Sequence, residues 1–128
     1  ANNARGEHGP MFAVTRFGNV AGSRGSVIEA WRSSGSMMTD PDCTRYWMTA
    51  QDALSVIWSA LELMPGEPLV PVLPAYRLGD LAEAMGINPM ITGLRPGEQM
   101  HEALREGESS ETAPRMTVDE LRALVALL

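Results

Sequence analysis

The chain has 128 residues, a net charge of −6 and a pI near 4.8, and its ten basic residues are all arginine. Without lysine there is no Schiff-base lysine, no P-loop lysine and no Tyr-x-x-x-Lys pair. An acidic chain with no basic block is also excluded as a general nucleic-acid or anionic-membrane binder. The 45% hydrophobic and 20% charged residues describe a soluble globular domain of ordinary size.

Residues 1–11 read as a flexible lead-in, polar and without the apolar stretch of a signal sequence. The chain begins with Ala1 rather than Met, as a processed, trimmed or excised chain does. Residues 11–17 alternate as a strand does, with Phe12 and Val14 on one face. Gly18, Gly22 and Gly25 then make a glycine-rich turn. Ser26 can cap a helix through Val27, Ile28 and Trp31 to about Ser34, where Gly35 stops it. Residues 36–39 suit a short strand, and Asp40-Pro41-Asp42 is a turn signal.

Thr49 is a good N-cap, and Asp52 stands at the capping-box position. Leu54, Ile57, Trp58, Leu61 and Met64 follow at helical spacing until Pro65-Gly66. Residues 68–73 form a strand punctuated by prolines, which suits a sheet edge. Residues 78–85 predict a short helix stopped by Gly86, residues 90–94 an extended segment, and residues 96–105 another helix. Residues 107–114 are a polar loop. Thr117 and Glu120 frame a capping box for a final helix through Leu121, Leu124, Val125 and Leu128. Short strands alternating with helices predict an α/β or α+β domain. The expected division is a main lobe over 12–108, a loop over 109–116 and a C-terminal helix over 117–128. No apolar run approaches the roughly 18 residues of a membrane span, and the single cysteine, Cys43, cannot form an intrachain disulfide. Together these place the expected location in the cytoplasm.

Three segments combine arginine with glycine or turn residues. The first runs from Arg16 through Gly18, Asn19, Gly22, Ser23, Arg24 and Gly25 to Ser26 and Val27. It is either an anion-binding strand-to-helix turn, with backbone N–H groups and Arg24 facing the ligand, or a plain turn with Arg24 in solvent. The second is Thr39-Asp40-Pro41-Asp42 with Thr44-Arg45-Tyr46-Trp47-Met48-Thr49. The Arg45 fork suits a phosphate or carboxylate ligand, or an ion pair with Asp40 or Asp42. The third is Gly93-Leu94-Arg95-Pro96-Gly97-Glu98, then His101-Glu102. Arg95 and Glu98 can hold a phosphate and a sugar hydroxyl, or balance each other at a helix start. One His with two carboxylates reads as a solvated face rather than a metal site. Cys43 reads as a half-buried structural thiol, with no His near it in sequence, and most of the nine methionines as core filler.

These segments, in this order, resemble the C-terminal half of the CapD-like polysaccharide biosynthesis proteins. These are nucleotide-sugar 4,6-dehydratases of the extended short-chain dehydrogenase/reductase superfamily. The resemblance covers residues 12–108. It implies the C-terminal, substrate-binding lobe of a two-part enzyme. The other part is a Rossmann half that binds NADP and carries Tyr-x-x-x-Lys. The family oxidises C4 of UDP-N-acetylglucosamine, eliminates water across C5 and C6, and returns the hydride to C6; some members invert C5. By resemblance, Asn19 contacts the nucleotide or diphosphate, the turn with Ser23, Arg24, Ser26 and Val27 lies against the nucleotide, Arg45 and Arg95 clamp the diphosphate, and Glu98 accepts a ribose hydroxyl.

The departures are as specific. The chain has no glycine fingerprint and no Tyr-x-x-x-Lys, and the segment between Trp31 and Thr39 is shorter than the family pattern. The expectation is therefore a UDP-sugar-binding portion that holds no cofactor and is not catalytic alone. Its partners would be a UDP-sugar and a separate cofactor-binding half or a homo-oligomer, with no nucleic acid and no membrane span. The alternative is a truncated stand-alone binding or scaffold module that self-associates and has no enzyme activity.

Overall fold

A computed structural model describes residues 9–33 and 35–128. The expected lead-in falls largely on residues 1–8, and the expected helix end on Ser34; both lie outside the described residues. The elements in chain order are β1 (Asn19–Val20), α1 (Val27–Ser33), β2 (Met37–Met38), β3 (Thr44–Met48), α2 (Ala50–Leu63), β4 (Ala75–Arg77), α3 (Leu78–Met85), β5 (Met90–Ile91) and α4 (Val118–Val125). Short strands and helices alternate, as an α/β domain requires.

β3 is the centre of the fold. It pairs in parallel with β1, placing Asn19 opposite Trp47, and antiparallel with β4, placing Arg45 opposite Tyr76. Side chains of a strand alternate between faces, and here both faces are covered. Trp47 enters a core with Ile28, Trp31, Tyr76, Leu81 and Leu121. Tyr46 and Met48 enter a second core with Ala53, Leu73 and Ala75. β1 can approach this closely because residue 18 has no side chain. A Cβ at Gly18 would lie 2.7 Å from the Cβ of Tyr46.

β2 and β5 form a separate parallel pair, Met37 opposite Met90. It is lengthened by hydrogen bonds from Thr92 N–H to Met38 O (2.8 Å) and Gly93 N–H to Thr39 O (2.9 Å). α3 and α4 pack together under the first core through Leu81, Leu121 and Val125. Arg32 of α1 donates to Val125 O at 2.9 Å, near the C-terminal end of α4, where a cation suits exposed carbonyls.

Both capping boxes form. Thr49 Oγ1 accepts the Asp52 N–H while Asp52 Oδ2 accepts the Thr49 N–H (3.1 and 2.9 Å). Thr117 and Glu120 make the same exchange for α4. α2 ends at Met64 in the left-handed region (φ 43), just before Pro65, which cannot continue a helix.

Several expectations need correction. Residues 11–17 and 68–73 are not strands. They meet at one parallel bridge, Thr15 with Leu69, and leave Phe12, Val14 and Val72 exposed. Parallel strands are normally covered on both faces, and these are not. Residues 96–105 are not a helix. Gly97 sits at φ 87, and the carbonyl of Met100 turns away to accept the Thr44 N–H at 2.8 Å. β3 and β4 were missed: Arg45, which precedes the capped helix α2 as expected, lies within a central strand. The loop after Gly107 is anchored: Ala75 N–H donates to Pro114 O and Met116 N–H to Ala75 O, both at 2.9 Å. The stripe Leu54, Ile57, Trp58 and Leu61 faces solvent, with Trp58 66% exposed, while Ala53 and Ala60 make the buried face of α2.

Candidate functional site

The three arginine-bearing segments converge on one cavity of about 600 Å³. β1 and its glycine turn form one wall, with Gly22 and Gly25 both at positive φ, where glycine is favoured. α1 and β2 form the second wall, and Thr92, Arg95 and Glu98 close the third. Trp47 and Tyr76 contribute aromatic surface from the sheet. Asn19, Ser23, Arg24, Ser26, Val27, Arg45, Arg95 and Glu98, the eight residues singled out in the sequence, all line this cavity.

Pairing sets Arg45 differently from expectation. It makes no ion pair with Asp40 or Asp42. Asp42 instead pairs with Arg77, and its N–H donates to Asp40 Oδ1 at 2.8 Å, which shapes the turn. Arg45 Nη1 donates to Thr44 O (2.7 Å) and Met100 O (3.0 Å), and its Nε lies 3.7 Å from Glu102 Oε1. The guanidinium is thus held from one side, and 14% of its side chain is exposed.

Arg95 is held only through its backbone, whose N–H donates to Glu98 Oε2 at 3.1 Å; Glu98 N–H donates back to Arg95 O at 3.0 Å. No helix follows, so this is a closed turn rather than a helix start. Both side chains remain exposed. At α1, Glu29 turns back and accepts the Gly25 N–H, and Ser26 Oγ accepts the Glu29 N–H (3.4 Å). A carboxylate of the chain therefore already occupies part of the helix start expected to attract an anion.

His101 and Glu102 separate rather than converge. His101 Nδ1 lies 2.8 Å from Thr44 Oγ1 and Nε2 3.8 Å from Glu111. Glu102 faces Asn19 and β3. Among the described residues no three His, Cys, Asp or Glu side chains form a ligand set for a metal ion. Cys43 is fully rather than half buried, beside Met100 Sδ at 3.7 Å.

Two contributors, and the state of a third, escaped the sequence reading. Ser110, from the polar loop, is fully buried and hydrogen-bonded to Thr44 Oγ1 at 2.7 Å. Tyr76 stacks edge-on to Trp47, with centroids 5.6 Å apart and planes at 80°. Burial, and then the charge of Glu102, push the Tyr76 hydroxyl up, against a smaller pull from Arg45, so it stays a neutral donor. Trp47 Nε1 is the one buried side-chain polar atom among the described residues without a hydrogen-bond partner. Such an orphan asks for an acceptor. Trp47 stood in the second arginine segment, but nothing local marked Ser110, Tyr76 or the unpartnered Trp47 indole, because each acts through a tertiary contact.

Arginine forks beside aromatic surface suit a phosphorylated ligand with a ring. Comparison with known proteins shows what the chain is similar to. A family model described as "Polysaccharide biosynthesis protein" matches residues 1–121. The chain is 38% identical over 119 residues to a UDP-N-acetylglucosamine 4,6-dehydratase (inverting) of Campylobacter jejuni, covering 86% of the chain and 36% of that enzyme. It is 37% identical over 111 residues to the capsular polysaccharide biosynthesis protein CapD of Staphylococcus aureus, covering 73% of the chain and 18% of CapD. It is 33% identical over 115 residues to a UDP-glucose 4-epimerase of Rickettsia bellii, covering 80% and 34%. The crystal structure of Pen from Bacillus thuringiensis superposes with a TM-score of 0.84 at 25% identity, covering 99% of this chain and 52% of that one. The chain spans about a third of the dehydratase and epimerase it matches.

Proposed function

The chain belongs to the polysaccharide biosynthesis protein family, and from that premise we propose that it is the UDP-sugar-binding portion of a nucleotide-sugar 4,6-dehydratase or epimerase, not catalytic alone. The observation that carries this reading is the convergence of Arg24, Arg45 and Arg95 on one cavity beside Trp47 and Tyr76. Arg95 and Arg45 hold the diphosphate. Asn19 and the turn with Ser23, Ser26 and Val27 line the nucleotide, and Glu98 accepts a ribose hydroxyl through the oxygen that Arg95 N–H leaves free. The NADP of the full-length family belongs to a cofactor-binding half, because this chain has no lysine for a Tyr-x-x-x-Lys pair.

The exposed stripe Leu54, Ile57, Trp58 and Leu61 supports a partner surface on α2. That partner is the cofactor half. In the second reading, a stand-alone scaffold module, it is another copy of the chain.

Isothermal titration with UDP tests the first reading. Binding in the micromolar to millimolar range is expected, and no heat at millimolar UDP overturns it. Sedimentation separates the second: a ligand-free dimer or larger oligomer that binds no UDP favours the scaffold.

A further inference from the structure

Glu102 does not line the cavity, yet it touches two of the segments that do. Its Oε1 accepts from Asn19 Nδ2 at 2.8 Å and lies 3.7 Å from Arg45 Nε. Its Oε2 accepts the Tyr46 N–H at 3.1 Å. The backbone beneath it is fixed as well. Ser110 N–H donates to Glu102 O at 2.8 Å, and Glu102 N–H donates to Ser110 Oγ at 2.8 Å. Ser110 is itself fully buried and bonded to Thr44. The carboxylate is therefore held at its backbone and engaged at both oxygens.

Two consequences reach the cavity. An amide beside a carboxylate must turn its NH2 group toward it, so Glu102 fixes the orientation of the Asn19 side chain and turns Oδ1 away. Arg45 has Nη1 on two carbonyls and Nε toward Glu102, so its fork is fixed with Nη2 as the remaining nitrogen.

We propose that Glu102 is a positioning residue for the ligand site. It sets the amide of Asn19 through a hydrogen bond and the guanidinium of Arg45 through an ion pair before the ligand arrives, without touching the ligand. Pre-set donors and acceptors raise affinity by removing the cost of ordering them on binding. This rests on the UDP-sugar reading, and the test separates the two.

The test uses the full chain and UDP, with Glu102→Ala, Glu102→Gln, Asn19→Ala and the Asn19→Ala/Glu102→Ala double variant. Each single alanine variant is expected to weaken UDP by about 10-fold, the loss of a hydrogen bond to a charged group. The double variant loses little beyond Glu102→Ala, because the residues act as one unit. Glu102→Gln, which keeps an acceptor, recovers part of the loss. Unchanged UDP affinity in Glu102→Ala, or a double loss equal to the product of the two single losses, overturns the proposal.

A ligand-free arm covers the case in which wild type binds no UDP and the functional reading itself fails. The two side-chain N–H resonances of Asn19, identified by their disappearance in Asn19→Ala, are followed in ¹⁵N spectra. They are expected to move toward the values of a free amide in Glu102→Ala. If they stay in place, Glu102 does not position Asn19 and the proposal falls whatever UDP does.

Discussion

The N–H of Gly25 is held by the carboxylate of Glu29, so the turn beside the cavity already carries a negative group of the chain's own. A phosphate approaching this turn meets that charge as well as Arg24. Removing the charge while keeping an acceptor separates the two effects. Glu29→Gln is expected to tighten UDP binding by roughly 2- to 5-fold, the scale of one charge at a helix terminus. The gain should shrink in high salt, which screens exposed charges. Titration at low and high ionic strength reads both, and unchanged or weaker binding in Glu29→Gln would show that the phosphates do not meet this charge.

Arg45 and Arg95 line the same cavity and differ in how the fold uses them. Arg45 serves two carbonyls and Glu102, whereas the Arg95 side chain is exposed. Arg95→Ala is expected to change unfolding stability by no more than about 0.5 kcal/mol, while weakening UDP by roughly 1.5–3 kcal/mol. Arg45→Ala leaves acceptors unpaired and is expected to cost about 1–3 kcal/mol of stability in addition to affinity. Urea unfolding beside titration distinguishes them; equal stability losses in the two variants would contradict the geometry.

Gly18 is needed for space rather than for backbone freedom. A methyl group there meets the Cβ of Tyr46 at 2.7 Å, and that atom cannot rotate aside. Gly18→Ala is expected to force β1 from β3 and cost roughly 1–3 kcal/mol, as overpacking does. The displacement carries Asn19 with it, so UDP affinity should fall too. A thermal melt of the variant that overlays wild type would show that the strands give way more easily than their packing implies.

The sequence made some of this visible and hid the rest for physical reasons. Caps are local, and Thr49 with Asp52 and Thr117 with Glu120 announced α2 and α4 correctly. Gly86 and Pro65 ended helices for equally local reasons. The cavity residues were visible because arginine beside glycine is unusual and the family blocks are ordered. The strand that carries Arg45 was not visible, since Thr44–Met48 shows no simple alternation when both its faces are buried. Residues 96–105 looked helical by composition, but Met100 spends its carbonyl on β3 instead. Leu54, Ile57, Trp58 and Leu61 gave the period of α2 correctly but not its buried face. Periodicity reports an apolar stripe and not what covers it.

The two capping boxes give the fold an acid-sensitive component. Hydrogen bonds from the Thr49 side chain, and then its backbone, hold the Asp52 carboxyl below its ordinary range. The Thr117 backbone, and then its side chain, do the same for Glu120. A carboxylate with a depressed folded-state pKa binds protons less readily folded than unfolded. The stability it contributes is therefore present at neutral pH and is lost as pH falls from about 4 through the folded values. Thr49→Ala is expected to cost about 1 kcal/mol at pH 7 and proportionally less at pH 3, where the cap carboxylate is being protonated. Asp52→Asn with Glu120→Gln should flatten the decline in stability between roughly pH 5 and pH 3. Urea midpoints across that range measure both effects. A double variant that declines as steeply as wild type would move the acid sensitivity to other carboxylates.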